Sequence, residues 1–205
     1  MPKAPGETRR RILESGYALF YRKGFNRVGV DDIARAARVT KRTLYYHFRS
    51  KDELLAAVLQ RQHEFALAQV RNWTERLSGG AEEIFDSLFH DLAKWAATPR
   101  YSGAGFTRVA MELADLPGHP ARAVARQHKA AIERLLAEAL AKAGVEASAE
   151  RAREVALLME GAMVLMLLHG DRAYAMAAAT AAKRLVGRPQ RRLSSGRRNR
   201  ASARP

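Results

Sequence analysis

Residues 40 to 47, TKRTLYYH, crowd two cations, two threonine hydroxyls, two phenols and an imidazole into about two helical turns. Such groups do not make a nucleophile and base. They are the donors that satisfy phosphate oxygens and the acceptor edges of bases in a DNA major groove. Thr40 can cap the helix that starts there, and Lys41, Arg42, Tyr45 and Tyr46 fall on the side opposite Leu44 and Phe48. Two adjacent tyrosines cannot both enter a small core, so at least one must face outward.

Other chemistry is sparser. Glu160 lies inside the apolar run VALLMEGAMVLMLLH, where a carboxylate must find a ligand, a cross-dimer contact or an arginine such as Arg108 or Arg126; His169 ends the run. Phe65, Trp73, Phe85, Phe89, Trp95, Phe106, Met111, Met159, Met163 and Met166 are either ordinary core or the wall of an aromatic and thioether cavity for an apolar molecule. The expected cavity residues are Phe65, Phe89, Trp95, Phe106, Met111, Met159, Glu160 and Met163. His63, His90, His119 and His128 lack close ligand spacing, so no metal site is expected, and no catalytic constellation or bound cofactor either. Gly103-Ala104-Gly105 is too short for a dinucleotide loop.

The elements that must position these residues are all helices. Ala, Leu, Glu and Arg dominate, and β-branched runs are absent. Nine helices are expected, near 7–23, two short ones within 28–48, then 50–77, 81–97, 104–115, 120–143, 149–169 and 172–186. They are punctuated by Gly24, Ser78-Gly79-Gly80, Pro99, Leu116-Pro117-Gly118, Gly144 and Gly170-Asp171. Residues 28–48, VGVDDIARAARVTKRTLYYHF, read as a helix-turn-helix: Ile33, Ala34 and Ala37 form one stripe and Leu44 with Phe48 the other, around Val39. The eighth helix is apolar nearly all round, which calls for cover by a second subunit or complete burial within one.

Charge follows the same division. Residues 1–50 carry twelve Lys or Arg against four Asp or Glu, residues 51–186 seventeen against seventeen, and the last nineteen residues seven Arg and no acid. A polyanionic partner therefore suits the two ends and not the balanced middle. The tail has too little apolar material to order itself and is expected to be disordered, serving either as a solubilising appendage or as a source of sequence-independent phosphate contacts. Cysteine is absent, which removes disulfides and thiolate chemistry and suits a reducing compartment. The longest apolar stretch, fifteen residues interrupted by Glu160, is too short and too charged for a bilayer, and the N-terminus lacks a signal-type apolar run. A cytoplasmic protein with no membrane partner is expected.

From about Thr8 to Leu59 the order and spacing of RRRILESGYALFYRKGF, DDIARAARV and TKRTLYYHFRSKDELL resemble the TetR (tetracycline-repressor-like) family of transcriptional regulators. That resemblance implies a homodimer joined through its last two helices, two recognition helices in successive major grooves of a palindromic double-stranded operator, and a cavity for a small-molecule effector. By position it adds Thr43 and His47 to Thr40, Lys41, Arg42, Tyr45 and Tyr46, and makes Lys51 a phosphate contact. Three positions depart from the family pattern. Arg38 stands in the turn where glycine is common, a cost of about 1 kcal/mol if the residue is left-handed. Arg42 replaces a second glycine on the groove face, where it is either a two-bonded guanine reader or a phosphate clamp. Gly29 replaces a hydroxyl cap and its phosphate contact.

The expected organisation is therefore all-α: a helix-turn-helix domain at 1–50, a helical effector and dimerisation domain at 51–187, and the Arg-rich tail at 188–205. The expected function is a repressor released from its operator by a ligand. The alternative is an architectural, weakly specific DNA binder without an effector.

Overall fold

The computed structural model describes residues 5–76, 79–99 and 101–186, with side chains from 6–71, 79–99 and 101–186. Trp73 and the tail at 188–205 lie outside the described side chains and residues. Nine helices run in order through the described chain: α1 Pro5–Lys23, α2 Val30–Ala36, α3 Lys41–His47, α4 Lys51–Arg76, α5 Ala81–Ala96, α6 Gly105–Glu112, α7 Pro120–Lys142, α8 Ser148–His169 and α9 Ala173–Val186. No strand occurs among the described residues.

Each helix ends where its sequence requires. α1 stops at Gly24, whose φ of 83° closes the turn while its N–H donates to the Phe20 carbonyl at 2.8 Å. A side chain there is also barred by space, because a Cβ would lie 2.8 Å from the Glu112 carboxylate. Thr40 caps α3 by accepting the Thr43 N–H at 3.0 Å, and Ser50 caps α4 by accepting that of Glu53 at 3.0 Å. Gly29 caps α2 without a side chain, and the Asp32 carboxylate compensates by accepting the Gly29 N–H at 3.4 Å.

The helices close around two cores. The first unites Ile12, Phe20, Phe25, Ile33, Leu44 and Phe48 with Leu54, Leu55 and Val58 of α4, and reaches Val109, Leu113 and Ala121 of α6 and α7. The small domain thus does not end at residue 50 in its packing: the first turns of α4 complete its core. The second core joins Phe85 and Phe89 of α5, Leu136 and Leu140 of α7, Val155, Met163 and Met166 of α8, and a run of alanines on α9. α8 is two-sided. Leu157 and Leu168 are each 70 % exposed, with Val164 and Leu167 also exposed, so this helix is not enclosed by its own subunit.

Arg38 takes the left-handed conformation at φ 53° in the turn between α2 and α3. An L-residue with a Cβ is strained there, and Arg38 is exposed, so no packing compensates. Arg38→Gly is expected to raise unfolding stability by about 1 kcal/mol, the relieved strain being partly offset by the greater freedom of glycine in the unfolded chain. Urea denaturation at fixed pH measures it; an unchanged or lower midpoint would contradict the strain.

Candidate nucleic-acid interface and effector cavity

The outward side of α3 is built by its inward side. Leu44 and Phe48 are 0 % and 1 % exposed, and they fix the helix so that Arg42, Tyr45 and Tyr46, related as i, i+3 and i+4, share the opposite face. Tyr46 is 84 % and Tyr45 44 % exposed. Arg42 is exposed and has no ion pair or hydrogen bond among the described residues. Lys41 differs: its ammonium sits 3.1 Å from Asp31 of α2, an exposed pair that bridges the two helices. Thr40 and Thr43 share a hydroxyl contact of 2.8 Å, and His47 packs its ring edge-on to Tyr46 at 5.3 Å.

Lys51 is placed otherwise than its expected phosphate role requires. Its ammonium donates to the carbonyls of Phe25 (3.0 Å) and Val28 (3.2 Å) and lies 4.0 Å over the Phe25 ring. The Phe25 carbonyl also accepts the Val28 N–H at 3.3 Å, so the lysine adds a second bond to that turn and one to the Val28 carbonyl, which turns it inward as a clamp on the α1–α2 loop.

Behind this domain α1 and α4 to α8 surround a cavity of about 1240 Å³. Of the expected wall residues, Phe65, Trp95, Phe106, Met159, Glu160 and Met163 line it, and two do not. Phe89 is 0 % exposed, sealed into the second core between α5, α8 and α9. Met111 is 70 % exposed on the solvent side of α6. Both errors have one cause: apolar type at helical spacing does not say which neighbour a face meets. Tyr17, Phe20 and Tyr21 of α1 also line the cavity, and none of them was among the expected wall residues.

Glu160 finds its partners within the subunit. It forms an ion pair with Lys129 and accepts the Thr107 hydroxyl at 2.6 Å, so neither Arg108 nor Arg126 is its counter-ion. A triad on α6, α7 and α8 thereby satisfies the one carboxylate in the apolar run 155–169 of α8.

His63 and His128 meet although 65 residues apart, with Nδ1 atoms 3.2 Å apart. The His128 ring stacks on Phe106 at 3.7 Å. No spacing rule could have found a pair separated this widely. Burial, with smaller contributions from Lys129 and His63, pushes the His128 pKa down to about 3. His128 is therefore neutral in the native state over a range where the unfolded chain, with an ordinary histidine near 6.5, takes up a proton. Its contribution to stability is fully present above about pH 6.5 and falls as pH drops towards 3, by about 1.4 kcal/mol per unit. His128→Leu is expected to flatten the loss of stability between pH 6 and 4, read from urea midpoints; an unchanged slope would remove His128 as its source. Among the described residues no group of three or more His, Asp or Glu could hold a metal ion, and no helix is long and apolar enough to cross a membrane.

α6 touches both sites. Thr107 and Phe106 face the cavity, while Arg108 donates to the Tyr21 carbonyl at 2.9 Å. One turn further on, Glu112 accepts the N–H groups of Phe25 (2.8 Å) and Asn26 (3.2 Å) and pairs with Arg108 at 3.2 Å. At the start of α7, His119 accepts the Ala121 N–H at 3.1 Å and lays its ring edge against Phe25 at 5.7 Å.

Against known proteins, the profile of the bacterial regulatory proteins of the tetR family matches residues 12–58. The HTH-type transcriptional activator FasR of Mycolicibacterium smegmatis is 37 % identical over 92 residues, 42 % of this chain and 42 % of that protein. The HTH-type transcriptional regulator TtgR of Pseudomonas putida is 43 % identical over 58 residues, 28 % of each chain. The chain thus spans less than half the length of these curated relatives. A solved TetR-family transcriptional regulator from Streptomyces coelicolor matches over 89 % of this chain and 97 % of its own, with 25 % identity and a TM-score of 0.75. The profile match is confined to residues 12–58, and likeness of fold extends over 89 % of the chain.

Proposed function

We propose that this chain, whose residues 12–58 match the profile of the tetR family of bacterial regulatory proteins, is a homodimeric repressor of that kind which a small molecule, bound in the α1/α4–α8 cavity, releases from a palindromic operator. The DNA-contacting side chains in this reading are Arg42, Tyr45 and Tyr46, with Thr40, Lys41, Thr43 and His47 around them and Lys51 holding the loop beneath. The protein binds and does not turn over its ligand, and it works in the cytoplasm. The observation that carries the reading is the double attachment of α6: its Thr107 is tied to Glu160 at the cavity, and its Glu112 to the backbone of Phe25 and Asn26 beneath the helix-turn-helix.

A ligand alters DNA affinity only if it prefers one of two conformations. An occupant pressing on Phe106 or displacing Thr107 shifts α6, and α6 carries Arg108 and Glu112 with it. Those two side chains hold the end of α1 and the α1–α2 loop, which share a core with the helix-turn-helix, so the recognition helices of the two subunits lose the separation of about 34 Å that successive major grooves demand. A coupling of about 1–3 kcal/mol changes DNA affinity roughly 5- to 150-fold.

The test is a fluorescence-anisotropy titration of the DNA upstream of the gene against a scrambled duplex, over a range of salt. Preference for the upstream duplex that survives physiological salt is the expected result. Equal affinities that collapse together with salt would replace this reading with that of an architectural DNA binder. A reporter fused to the same upstream DNA gives the sign: expression rises on deleting the regulator if it represses, and falls if it activates, as the name of the Mycolicibacterium smegmatis relative states for that protein.

A further inference from the structure

The walls of the cavity carry charge as well as apolar surface, and the charges do not cancel. Its lining includes four carboxylates, and each already has a cation. Glu160 holds Lys129, Glu112 holds Arg108 at 3.2 Å, and Glu133 holds Arg153 at 3.1 Å. Asp91, the fourth, is 3.6 Å from Lys94. Two lining cations remain. Arg122 donates to the carbonyls of Leu113 (3.2 Å) and Ala114 (3.0 Å), where α6 ends, and so serves the free carbonyls of that helix terminus. Arg126, one turn along α7 and one turn before Lys129, has no carboxylate and no hydrogen bond among the described residues.

Resting on the reading of this cavity as an effector site, we infer that its ligand is an amphiphile with an apolar or aromatic body and a single anionic head, and that Arg126 receives the head. The body meets Phe65, Trp95, Phe106, Met159 and Met163. These rings and thioethers accept varied shapes, and the volume exceeds the roughly 300–1,000 Å³ usual for small-molecule sites. The sign of the head follows from what each charge must give up. A cationic ligand has no free carboxylate here: to reach Glu160 it must expel Lys129 and leave that ammonium partly buried without a counter-ion. An anionic ligand breaks no existing pair, because the Arg126 guanidinium presents its fork unengaged and matches a carboxylate or sulfonate with two parallel hydrogen bonds. A neutral ligand gains the apolar contacts alone.

The experiment uses two dyes that differ only in the head: 1-anilinonaphthalene-8-sulfonate and the uncharged N-phenyl-1-naphthylamine, each titrated into the full chain by fluorescence. The wild type is expected to bind the sulfonate more tightly, and Arg126→Gln to lower sulfonate affinity about tenfold while changing that of the neutral dye less than twofold. The sulfonate advantage is also expected to shrink as salt rises, since Arg126 is exposed. Met159→Trp, which puts an indole into the part of the cavity that the dye body occupies, should weaken binding of both dyes. Should the indole prevent folding, a fall in tryptophan-to-dye energy transfer in Trp95→Phe, measured against the transfer that Trp73 still gives, assigns the site instead.

Equal sulfonate affinity in the wild type and Arg126→Gln overturns the inference. If the neutral dye still binds in the cavity, the effector reading stands without it. If neither dye binds, or both bind unchanged in the cavity variants, the effector cavity and the anionic ligand fall together.

Discussion

Arg42→Ala is expected to cost the protein most of its discrimination between operator and other DNA. The guanidinium is exposed and has no ion pair or hydrogen bond among the described residues, on the same face of α3 as Tyr45 and Tyr46. Lys41, its neighbour, is committed to Asp31. A two-bonded contact to guanine is worth about 1–3 kcal/mol, and if the protein binds as the proposed symmetric dimer the contact is made twice, so about 2–6 kcal/mol of specific binding is at stake. That corresponds to a loss of between about thirtyfold and ten-thousandfold in affinity for the operator. Affinity for a scrambled duplex should fall far less. Arg42→Lys separates the two roles open to this residue: a lysine replaces a phosphate clamp but not the planar fork of a base reader. Equal weakening on both duplexes, with a shallower dependence on salt, would make Arg42 a phosphate contact.

A second large effect is expected at the exposed side of α8. Leu157, Val164 and Leu168 recur at intervals of seven and four residues with Gly161 between them, so they form one stripe along the helix. Leu157 and Leu168 are 70 % exposed, Val164 is 42 % exposed, and Met176 on α9 is 50 % exposed. The opposite side of α8, with Val155, Ala162 and Met166, already fills the subunit's own core. If a second copy covers the stripe, Leu157→Glu with Leu168→Glu places two carboxylates from each subunit in that interface. Like charges meeting in a partly dry surface cost several kcal/mol. The expected outcome is a monomer by sedimentation velocity at micromolar concentration, with operator affinity reduced by about a hundredfold or more because the two half-sites are no longer bound together. Each subunit should keep its helical content, since both leucines lie outside the core. A variant that stays dimeric and binds DNA normally would move the interface elsewhere.

Local features of this protein were readable from residue order because they depend on near neighbours. Gly24 ends α1 through backbone geometry alone, Thr40 and Ser50 cap helices through bonds three residues long, and Leu44 and Phe48 orient α3 by periodicity. The left-handed Arg38 was expected from the family resemblance, in which glycine is common at this turn position. For the same reason the outward Arg42, Tyr45 and Tyr46 were assigned to the correct face, and all nine helices lie within a few residues of their expected limits.

Where a side chain's role depends on what comes to meet it, periodicity was silent. Lys51 carries a charge suited to phosphate, yet two carbonyls of a loop more than twenty residues away bind it first. Phe89 and Phe106 are the same residue on similar helices; one is sealed in a core and the other stacks on His128 in a cavity wall. Glu160 had to have a partner because burial demands it, but only the packing of α7 and α6 against α8 chose Lys129 and Thr107. The sequence by itself therefore determined the helices, their ends, the charged N-terminal face and the need to neutralise Glu160, all through interactions within a few residues. Only the tertiary structure decided the cavity, the His63–His128 contact, the unpaired Arg126 and the α6 bridge between cavity and helix-turn-helix. Each of those depends on side chains brought together from distant parts of the chain, and no local propensity encodes such a meeting.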